Sequence, residues 1–170
     1  TDKAIEKVGS SGLPPMYTEL KIVNEDGDDT PPGETGELLI RGPNVLPGYW
    51  NRPEANKDIF TEDGFFHTGD AACVDDDGYY YIVDRWKDMF ISGGENVYPA
   101  EIENALMSHE GIADVAVVGV PDDKWGEVGK ALVVPVPDSG VTADEILAHA
   151  RERLAGFKIP RSVDFVEAIP

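Results

Sequence analysis

Residues 84–103 read DRWKDMFISGGENVYPAEIE. Two adjacent charge pairs, Asp84-Arg85 and Lys87-Asp88, are followed by a Ser-Gly-Gly turn and then by a Tyr-Pro step that is typical of a helix start. A strand that ends in two charge pairs and turns through two glycines is an elaborate connector if its only task is to join two elements. We therefore interpret the stretch as a hinge beside an active site. The pattern of predicted secondary structure differs before and after it.

Up to residue 86 the sequence is dominated by short β-type runs. The turn signals EDGDD, TPPGETG and DDDG separate the runs ELKIV, GELLIRG and YYYIVD. This half is predicted to form hairpins and meanders, with one short helix over PEANKDIF (53–60) that Pro53 would open. Residues 1–86 are therefore predicted to be a β-rich, barrel-like subdomain.

From residue 87 onward, helix-type and strand-type patterns alternate. Helical spacing predicts a helix over Pro99–Met107, and the apolar runs VAVVGV, KALVVPV and SVDFVEAI have strand length. Thr142 and Glu145 form a capping box that predicts the start of a second helix. That helix is expected to stop at Gly156 and to bury Ile146, Leu147, Ala150 and Leu154. Residues 87–170 are thus a small α+β domain, and the fold class of the chain is α+β.

Composition limits the classes of function. The 170 residues are 41% hydrophobic, which is typical of a globular chain, and their 33 acidic against 14 basic residues give a formal net charge of −19. This charge excludes a general binder of nucleic-acid backbones, because such a protein needs a basic face. Cys73 is the single cysteine, no apolar run has transmembrane length, and no signal pattern opens the chain. We expect a cytoplasmic protein, if anything peripheral to a membrane.

Several polar and glycine positions have both a structural and a functional interpretation. Asp70, in GFFHTGD, follows a glycine that permits a tight turn; it could accept the hydroxyls of a ribose diol or cap the turn. Arg85 could bind ribose or phosphate oxygens or pair with a carboxylate. Gly93 and Gly94 could let a ligand pass close to the backbone or form a β-turn. The order of these signals is more specific than any one of them.

Six blocks of sequence carry a resemblance to a known family. They read GSSGLPPMYTELKIV, GELLIRGPNVLPGYWNRPE, GFFHTGD, GYYYIVDRWKDMFISGGENVYPAEIE, VAVVGVPDDKWGE and LAGFKIPRSVDFVEAIP. In this order they resemble the rear portion of the AMP-forming acyl-CoA synthetases, which belong to the acyl-adenylate-forming superfamily. The resemblance implies a ligase that uses ATP, Mg²⁺ and CoA to convert a carboxylic acid first into an acyl adenylate and then into a thioester.

The resemblance also implies domains and roles for individual residues. Residues 1–86 would end a large ATP-binding and acyl-binding domain, and residues 87–170 would be a small mobile C-terminal domain. Asp70 and Arg85 resemble the ribose ligands of ATP or AMP, and Lys87 with Asp88 resembles the hinge. The positions that resemble the CoA site are Gly93, Gly94, Trp125 and Phe157, with Lys158 as a contact to a CoA phosphate.

The resemblance further implies that the chain is a fragment. The phosphate-binding loop of the family should lie before Thr1, and its catalytic Lys should follow just beyond Pro170, so no catalytic residue is expected within these residues. We expect the isolated fragment to be inactive and to self-associate through apolar surface that the rest of a larger domain would cover.

Alternatives to this interpretation remain open. The sequence ISGGENVYPAEIE most resembles that of ligases for fatty acids, so a fatty acid is the favoured substrate. An aryl-CoA ligase and a peptide-synthetase adenylation domain are the alternatives within the superfamily. A different class is a non-catalytic acidic binding module, which would hold a divalent ion through Asp75, Asp76 and Asp77. Because their spacing is not that of an EF-hand, a hairpin turn ending in Asp77-Gly78 explains these residues better.

Overall fold

The computed structural model describes residues 6–169. The chain divides into two compact units, Thr1–Lys87 (unit 1) and Asp88–Pro170 (unit 2). Unit 1 contains a sheet of four strands, and unit 2 combines strands with the α-helices Pro99–Met107 and Ala143–Arg151, so the predicted α+β class is confirmed. The predicted boundary at 86/87 lies one residue from the division between the units. The assignment of the units to a large and a mobile domain stays a prediction. The expectation that the catalytic Lys follows Pro170 lies outside the described residues.

Unit 1 contains a four-stranded antiparallel sheet in the order β1-β2-β3-β4. Its strands are β1 (Glu19–Val23), β2 (Gly36–Arg41), β3 (Phe66–Val74) and β4 (Tyr80–Arg85). Side chains alternate across the sheet, so Ile22 and Leu38 join one small buried cluster while Val23 and Leu39 join another. The sheet of unit 1 therefore divides its buried apolar residues between two faces.

The helix predicted over residues 53–60 is wrong, because this segment forms consecutive turns. The Asn56 side chain accepts a hydrogen bond from Tyr49 N–H at 2.7 Å and donates one to Tyr49 O at 3.0 Å, which closes a loop. Asp58 has a φ of 58°, and a right-handed helix does not accommodate that angle. An asparagine that bonds to the backbone outside its own turn competes with the helix.

Unit 2 is a five-stranded sheet with two helices. The strand order is β6-β5-β8-β7, and β9 runs parallel to β8. The strands are β5 (Phe90–Ser92), β6 (Glu95–Val97), β7 (Ile112–Asp122), β8 (Gly126–Pro135) and β9 (Ser162–Phe165). The helices are α1 (Pro99–Met107), whose bounds are those predicted, and α2 (Ala143–Arg151). The apolar faces of both helices pack into one core, with Ile102, Leu106, Ile146 and Ala150 fully buried.

The start of α2 is as predicted, but its end is not. Thr142 Oγ1 accepts a hydrogen bond from Glu145 N–H at 3.3 Å, and the Glu145 carboxylate accepts one from Thr142 N–H at 2.9 Å, which confirms the capping box. The helix ends at Arg151 rather than at Gly156. Leu154 packs against the core from the turn that follows, and Gly156 begins a separate one-turn 3-10 helix, Gly156–Lys158. The turn thus places Leu154, which is partly buried, against the core without a longer helix.

Candidate functional site

Asp70 and Arg85 face each other on neighbouring strands of unit 1. The register of β3 and β4 pairs them directly, and Arg85 Nη1 donates to Asp70 Oδ1 at 2.6 Å. The tight turn predicted at Gly69 is wrong in form, because Gly69 and Asp70 lie within β3, where the strand is irregular and Gly69 has a φ of 71°. A glycine is needed there because a side chain disfavours that φ. The structure thus brings the two predicted ribose ligands together.

The Asp70–Arg85 pair is open to solvent. The Arg85 side chain is 58% exposed, and its own N–H donates to Asp84 Oδ1 at 2.6 Å. The carboxylate pairing considered from the sequence is therefore real, with Asp70 as the partner of the guanidinium. Exposed ion pairs contribute at most about 1 kcal/mol, so ligand hydroxyls could replace part of this contact at small cost. The pair offers an acceptor and a donor side by side.

Lys87 and Asp88, the predicted hinge, lie in the one-turn 3-10 helix Trp86–Asp88. Both residues are exposed, and the division between the two compact units falls between them. Their position on the chain is compatible with a hinge, and the role itself stays a prediction.

The Gly93-Gly94 turn connects β5 and β6 as a two-residue hairpin. Both glycines have positive φ, 63° and 89°, as the mirror-image turns of hairpins require. Gly93 N–H donates to Trp125 O at 2.9 Å, and a Cβ added at Gly93 would lie 2.8 Å from Trp125 Cε3. The indole of Trp125 therefore lies against the turn, and only glycine fits at position 93.

A cavity of about 210 Å³ lies beside this turn in unit 2. Its lining residues are Ser92, Trp125, Val128, Gly156, Phe157, Ile159 and Arg161. Trp125 and Phe157 are each roughly two-fifths exposed, so part of each ring is accessible from the cavity. The cavity thus brings together three features predicted from the sequence. Trp125 and Phe157 line it directly, and the glycine turn reaches it through the adjacent Ser92. Aromatic faces at such a cavity can stack on a planar heterocycle.

Two cations near the cavity have different surroundings. Lys158 Nζ lies 2.8 and 2.6 Å from the two carboxylate oxygens of Glu101, so its charge is already paired within the protein. Arg161, which sequence reasoning missed, also lines the cavity. An arginine directly after Pro160 in a strongly acidic chain is the signal that could have identified it. The pKa of Asp122 is lowered mainly by hydrogen bonds from Lys124 N–H and Trp125 N–H, and the positive charge of Arg161 contributes to this shift. Lys158 is thus held in a close ion pair, while Arg161 lines the cavity and interacts electrostatically with Asp122.

Comparison with known proteins identifies the family. Residues 1–50 match the model of the AMP-binding enzymes, and residues 101–170 match that of the AMP-binding enzyme C-terminal domain. Feruloyl-CoA synthase from Amycolatopsis sp is 54% identical over 97% of this chain. The long-chain-fatty-acid–CoA ligase FadD13 of Mycobacterium tuberculosis is 47% identical over 100% of it. The chain belongs to the AMP-binding enzymes.

The fold of this chain agrees with that of a solved relative. The o-succinylbenzoate CoA synthetase of Bacillus subtilis, in complex with its acyl-adenylate intermediate, superposes with a TM-score of 0.90 at 41% identity over 99% of this chain. The predicted membership of the acyl-adenylate-forming superfamily is confirmed. The chain spans 33% of the length of both curated relatives and 34% of the solved one.

The acidic side chains of the turn at residues 75–77 are engaged in contacts within the chain. Lys7 Nζ lies 2.7 Å from Asp75 Oδ2 and 2.8 Å from Asp77 Oδ2. The Lys7 ammonium lowers the pKa of Asp75 to about 2, and Asp75 Oδ1 also accepts hydrogen bonds from Asp77 N–H and Tyr79 N–H. The triplet thus closes the β3–β4 hairpin. Among residues 6–169, no group of three or more His, Cys, Asp or Glu is placed to hold a metal ion.

Two further features concern reactivity and membranes. Cys73 lies in β3, and burial raises the pKa of its thiol, which disfavours the nucleophilic thiolate. Across the described range, none of the helices is long and apolar enough to cross a bilayer.

Proposed function

We propose that the chain is part of an AMP-forming acid–CoA ligase. In the first half-reaction a carboxylate oxygen attacks the α-phosphate of ATP, and pyrophosphate leaves. In the second, the thiol of CoA attacks the acyl carbonyl of the adenylate, AMP leaves and the thiol proton is released. The relatives named above are CoA ligases by name, and the chain matches them over nearly all of its own length.

The observation that carries the proposal is the cavity of unit 2. It places two partly exposed aromatic side chains, Trp125 and Phe157, beside a turn whose glycines have no side chains. Ring faces of this kind suit the adenine of CoA, while the glycines leave room for its narrow pantetheine arm. We assign Gly93, Gly94, Trp125 and Phe157 to CoA binding. Arg161 is better placed than Lys158 for a CoA phosphate, because Glu101 already neutralises Lys158.

In unit 1 we assign Asp70 and Arg85 to the ribose of ATP and of the acyl adenylate. Asp70 Oδ1 holds the Arg85 guanidinium, and the second oxygen of the same carboxylate lies outside that hydrogen bond. A carboxylate can accept hydrogen bonds from two vicinal hydroxyls, and an arginine fork can donate to ribose oxygens. Because the same nucleotide is present in both half-reactions, Asp70→Ala is expected to weaken both.

We assign Lys87 and Asp88 to a hinge that alternates between the two half-reactions. A hinge must absorb backbone rotation, and proline fixes φ near −65°, so Lys87→Pro should impair the half-reactions unequally. Stopped-flow measurement of adenylate formation and of thioester formation would separate the two rates. Equal loss in both would argue against domain alternation.

For the acid, we propose an apolar carboxylic acid, either aryl or fatty. The wording of residues 91–103 favoured a fatty acid, while the relatives named above act by name on an aromatic acid and on long-chain fatty acids. Mg²⁺ would accompany ATP, as in the o-succinylbenzoate CoA synthetase solved with ATP and magnesium. We assign no metal ligand within the described residues. The single cysteine fits a reducing cytoplasm.

The proposal is tested in the full-length enzyme that carries this sequence. Release of pyrophosphate and AMP is measured with acids from acetate to long-chain and with ferulate-like aromatic acids, with and without CoA. CoA-dependent AMP release that peaks on one class supports the ligase and identifies its acid. An adenylate that CoA never accepts would exclude the CoA site. The 170-residue chain alone, the matched control, is expected to release no AMP.

A further inference from the structure

Glu37 is a largely buried carboxylate beside Asp70 that has no role so far. Its side chain is only 13% exposed. Glu37 Oε2 lies 2.9 Å from His67 Nδ1, and Oε1 accepts a hydrogen bond from Gly69 N–H at 3.3 Å. Burying a carboxylate is unfavourable unless hydrogen bonds compensate for the lost water. Here the compensating contacts are made by His67 and Gly69, the residues directly before and after Thr68.

The strand register explains why a support is needed at this point. Leu39 of β2 pairs with His67, and Glu37 pairs with Ala71. Leu38 alone therefore stands opposite Thr68, Gly69 and Asp70, so β3 bulges away from a regular ladder. Bulges of this kind redirect side chains and are frequent beside active sites.

Side-chain hydrogen bonds hold the bulge in place. Thr68 Oγ1 donates to Leu38 O at 2.7 Å and accepts from Asp70 N–H at 3.1 Å. Glu37 ties His67 and Gly69 to β2 in the same way, so the backbone is fixed immediately before Asp70. The direction of the Asp70 carboxylate depends on the φ of 71° at Gly69, which these contacts maintain.

We propose that Glu37 is a positioning residue for the nucleotide: through His67 and Gly69 it aims the Asp70 carboxylate at the vicinal hydroxyls of a ribose. This inference rests on the proposed function, since it takes Asp70 as the ribose ligand. Glu37 acts through Asp70 and makes no contact with the ligand itself. Its effect should therefore appear as lost discrimination between ribose and deoxyribose.

The test compares Glu37→Ala with Glu37→Gln in the full-length enzyme. Alanine removes both contacts, whereas glutamine can still accept from Gly69 N–H through its oxygen and donate to His67 through its amide. The ratio of kcat/KM for ATP to that for 2′-deoxy-ATP is expected to fall roughly ten-fold in Glu37→Ala and to stay within about three-fold in Glu37→Gln. Glu19→Ala is the matched control, because Glu19 is an acidic residue of the same sheet, exposed and paired with Arg41.

Binding gives a second measurement that does not need turnover. Calorimetry with AMP and 2′-deoxy-AMP should show that Glu37→Ala loses more affinity for AMP than for the deoxy form, which offers Asp70 only the 3′-hydroxyl. Equal loss for both nucleotides, or unchanged discrimination in Glu37→Ala, would overturn the proposal. An enzyme that binds AMP with ribose selectivity but never forms an adenylate would contradict the proposed function and leave the role of Glu37 intact.

Discussion

The two units of the chain bury apolar residues in different ways. In unit 2, eleven buried residues form one continuous cluster between the sheet and its two helices. In unit 1, the two clusters contain three buried residues each and lie on opposite faces of the sheet. Where helices and strands bury their apolar faces against each other in a single core, the unit does not need another domain to cover those faces. The comparison indicates that unit 2 is the more self-sufficient of the two.

Exposed side chains show the same difference. Trp50 is 95% exposed, and Val8, Met16 and Tyr17 of unit 1 are each more than four-fifths exposed. In unit 2 the exposed aromatic side chains include Trp125 and Phe157, which line the cavity. Exposed apolar surface in a ligand cavity has a use within the unit, whereas the exposed side chains of unit 1 would favour association only where they form a contiguous patch. Self-association of the isolated chain stays a prediction.

The largest expected effect concerns the two cores. Leu106→Ala, in the core of unit 2, should lower the free energy of unfolding by about 4 kcal/mol, and Ile22→Ala, in a small cluster of unit 1, by about 2 kcal/mol, because a thin cluster collapses more readily around a deletion. Urea denaturation with hydrogen exchange in each unit measures both values. Equal losses would mean that the clusters of unit 1 are packed as tightly as the core of unit 2.

A second prediction compares glycines. Gly93→Ala should cost about 2–3 kcal/mol, because it combines an unfavourable positive φ with a clash against Trp125. Gly94 and Gly69 also have positive φ but open space around the Cβ position, so Gly94→Ala and Gly69→Ala should each cost about 1 kcal/mol. Thermal unfolding and the emission of Trp125 measure these effects. If Gly93→Ala costs no more stability than Gly94→Ala, the indole of Trp125 can move away and does not hold the turn.

Helix capping gives a smaller effect that is confined to unit 2. Thr142→Ala removes the side-chain oxygen that accepts Glu145 N–H and should cost about 1 kcal/mol. Thr142→Ser, the matched control, keeps that oxygen and should cost less than half as much. Faster hydrogen exchange should appear in the first turn of α2 and leave β1–β4 unchanged. A change in unit 1 would contradict the independence of the two cores.

The smallest effect is a difference in pH dependence. Burial lowers the pKa of His149, whose Nε2 lies 2.8 Å from Ser108 Oγ, below the ordinary value of 6.5. Its contribution to stability is therefore complete above pH 6.5 and is lost as the pH falls below that value. The pKa of Asp75 is lowered from 3.8 to about 2, so its contribution is complete above pH 3.8 and is lost towards pH 2.

Acid titration should thus weaken unit 2 before unit 1. Hydrogen exchange in each unit between pH 7 and pH 3 measures the order, and His149→Gln and Asp75→Asn are expected to remove the respective dependence. If unit 1 lost its protection at a higher pH than unit 2, His149 and Asp75 would not be the groups that determine the acid sensitivity of their units.

Local patterns predicted those parts of the fold that local physics decides. The bounds of α1 and the capping box of α2 were predicted correctly because periodicity, proline and the spacing of Thr142 and Glu145 act within one or two turns. The failures involve contacts across longer distances. Asn56 closes a loop with Tyr49, and Leu154 reaches the core from a turn, so neither the absence of a helix at 53–60 nor the early end of α2 could be predicted from the neighbouring residues.

The candidate site divides in the same way. Asp70, Arg85, Trp125 and Phe157 were predicted through the resemblance of their motifs, and the structure brings them together within each unit. Glu37 and Arg161 were missed because their surroundings depend on strand register and on which carboxylates lie nearby. A glutamate inside the apolar run GELLIR was the one sequence signal for Glu37. Register cannot be deduced from that signal alone.

The contact between Glu101 and Lys158 also affects how a ligand arrives. By neutralising a lysine next to the cavity, Glu101 removes a local attraction in a chain whose formal net charge is −19. The phosphate-bearing ligand proposed above would therefore approach against repulsion, which salt screens to a range of about 8 Å at 0.15 M. Association should become faster as ionic strength rises, the reverse of the behaviour of proteins that present a basic face to phosphates. Close contact inside the cavity, rather than attraction from a distance, would then determine which ligands are kept.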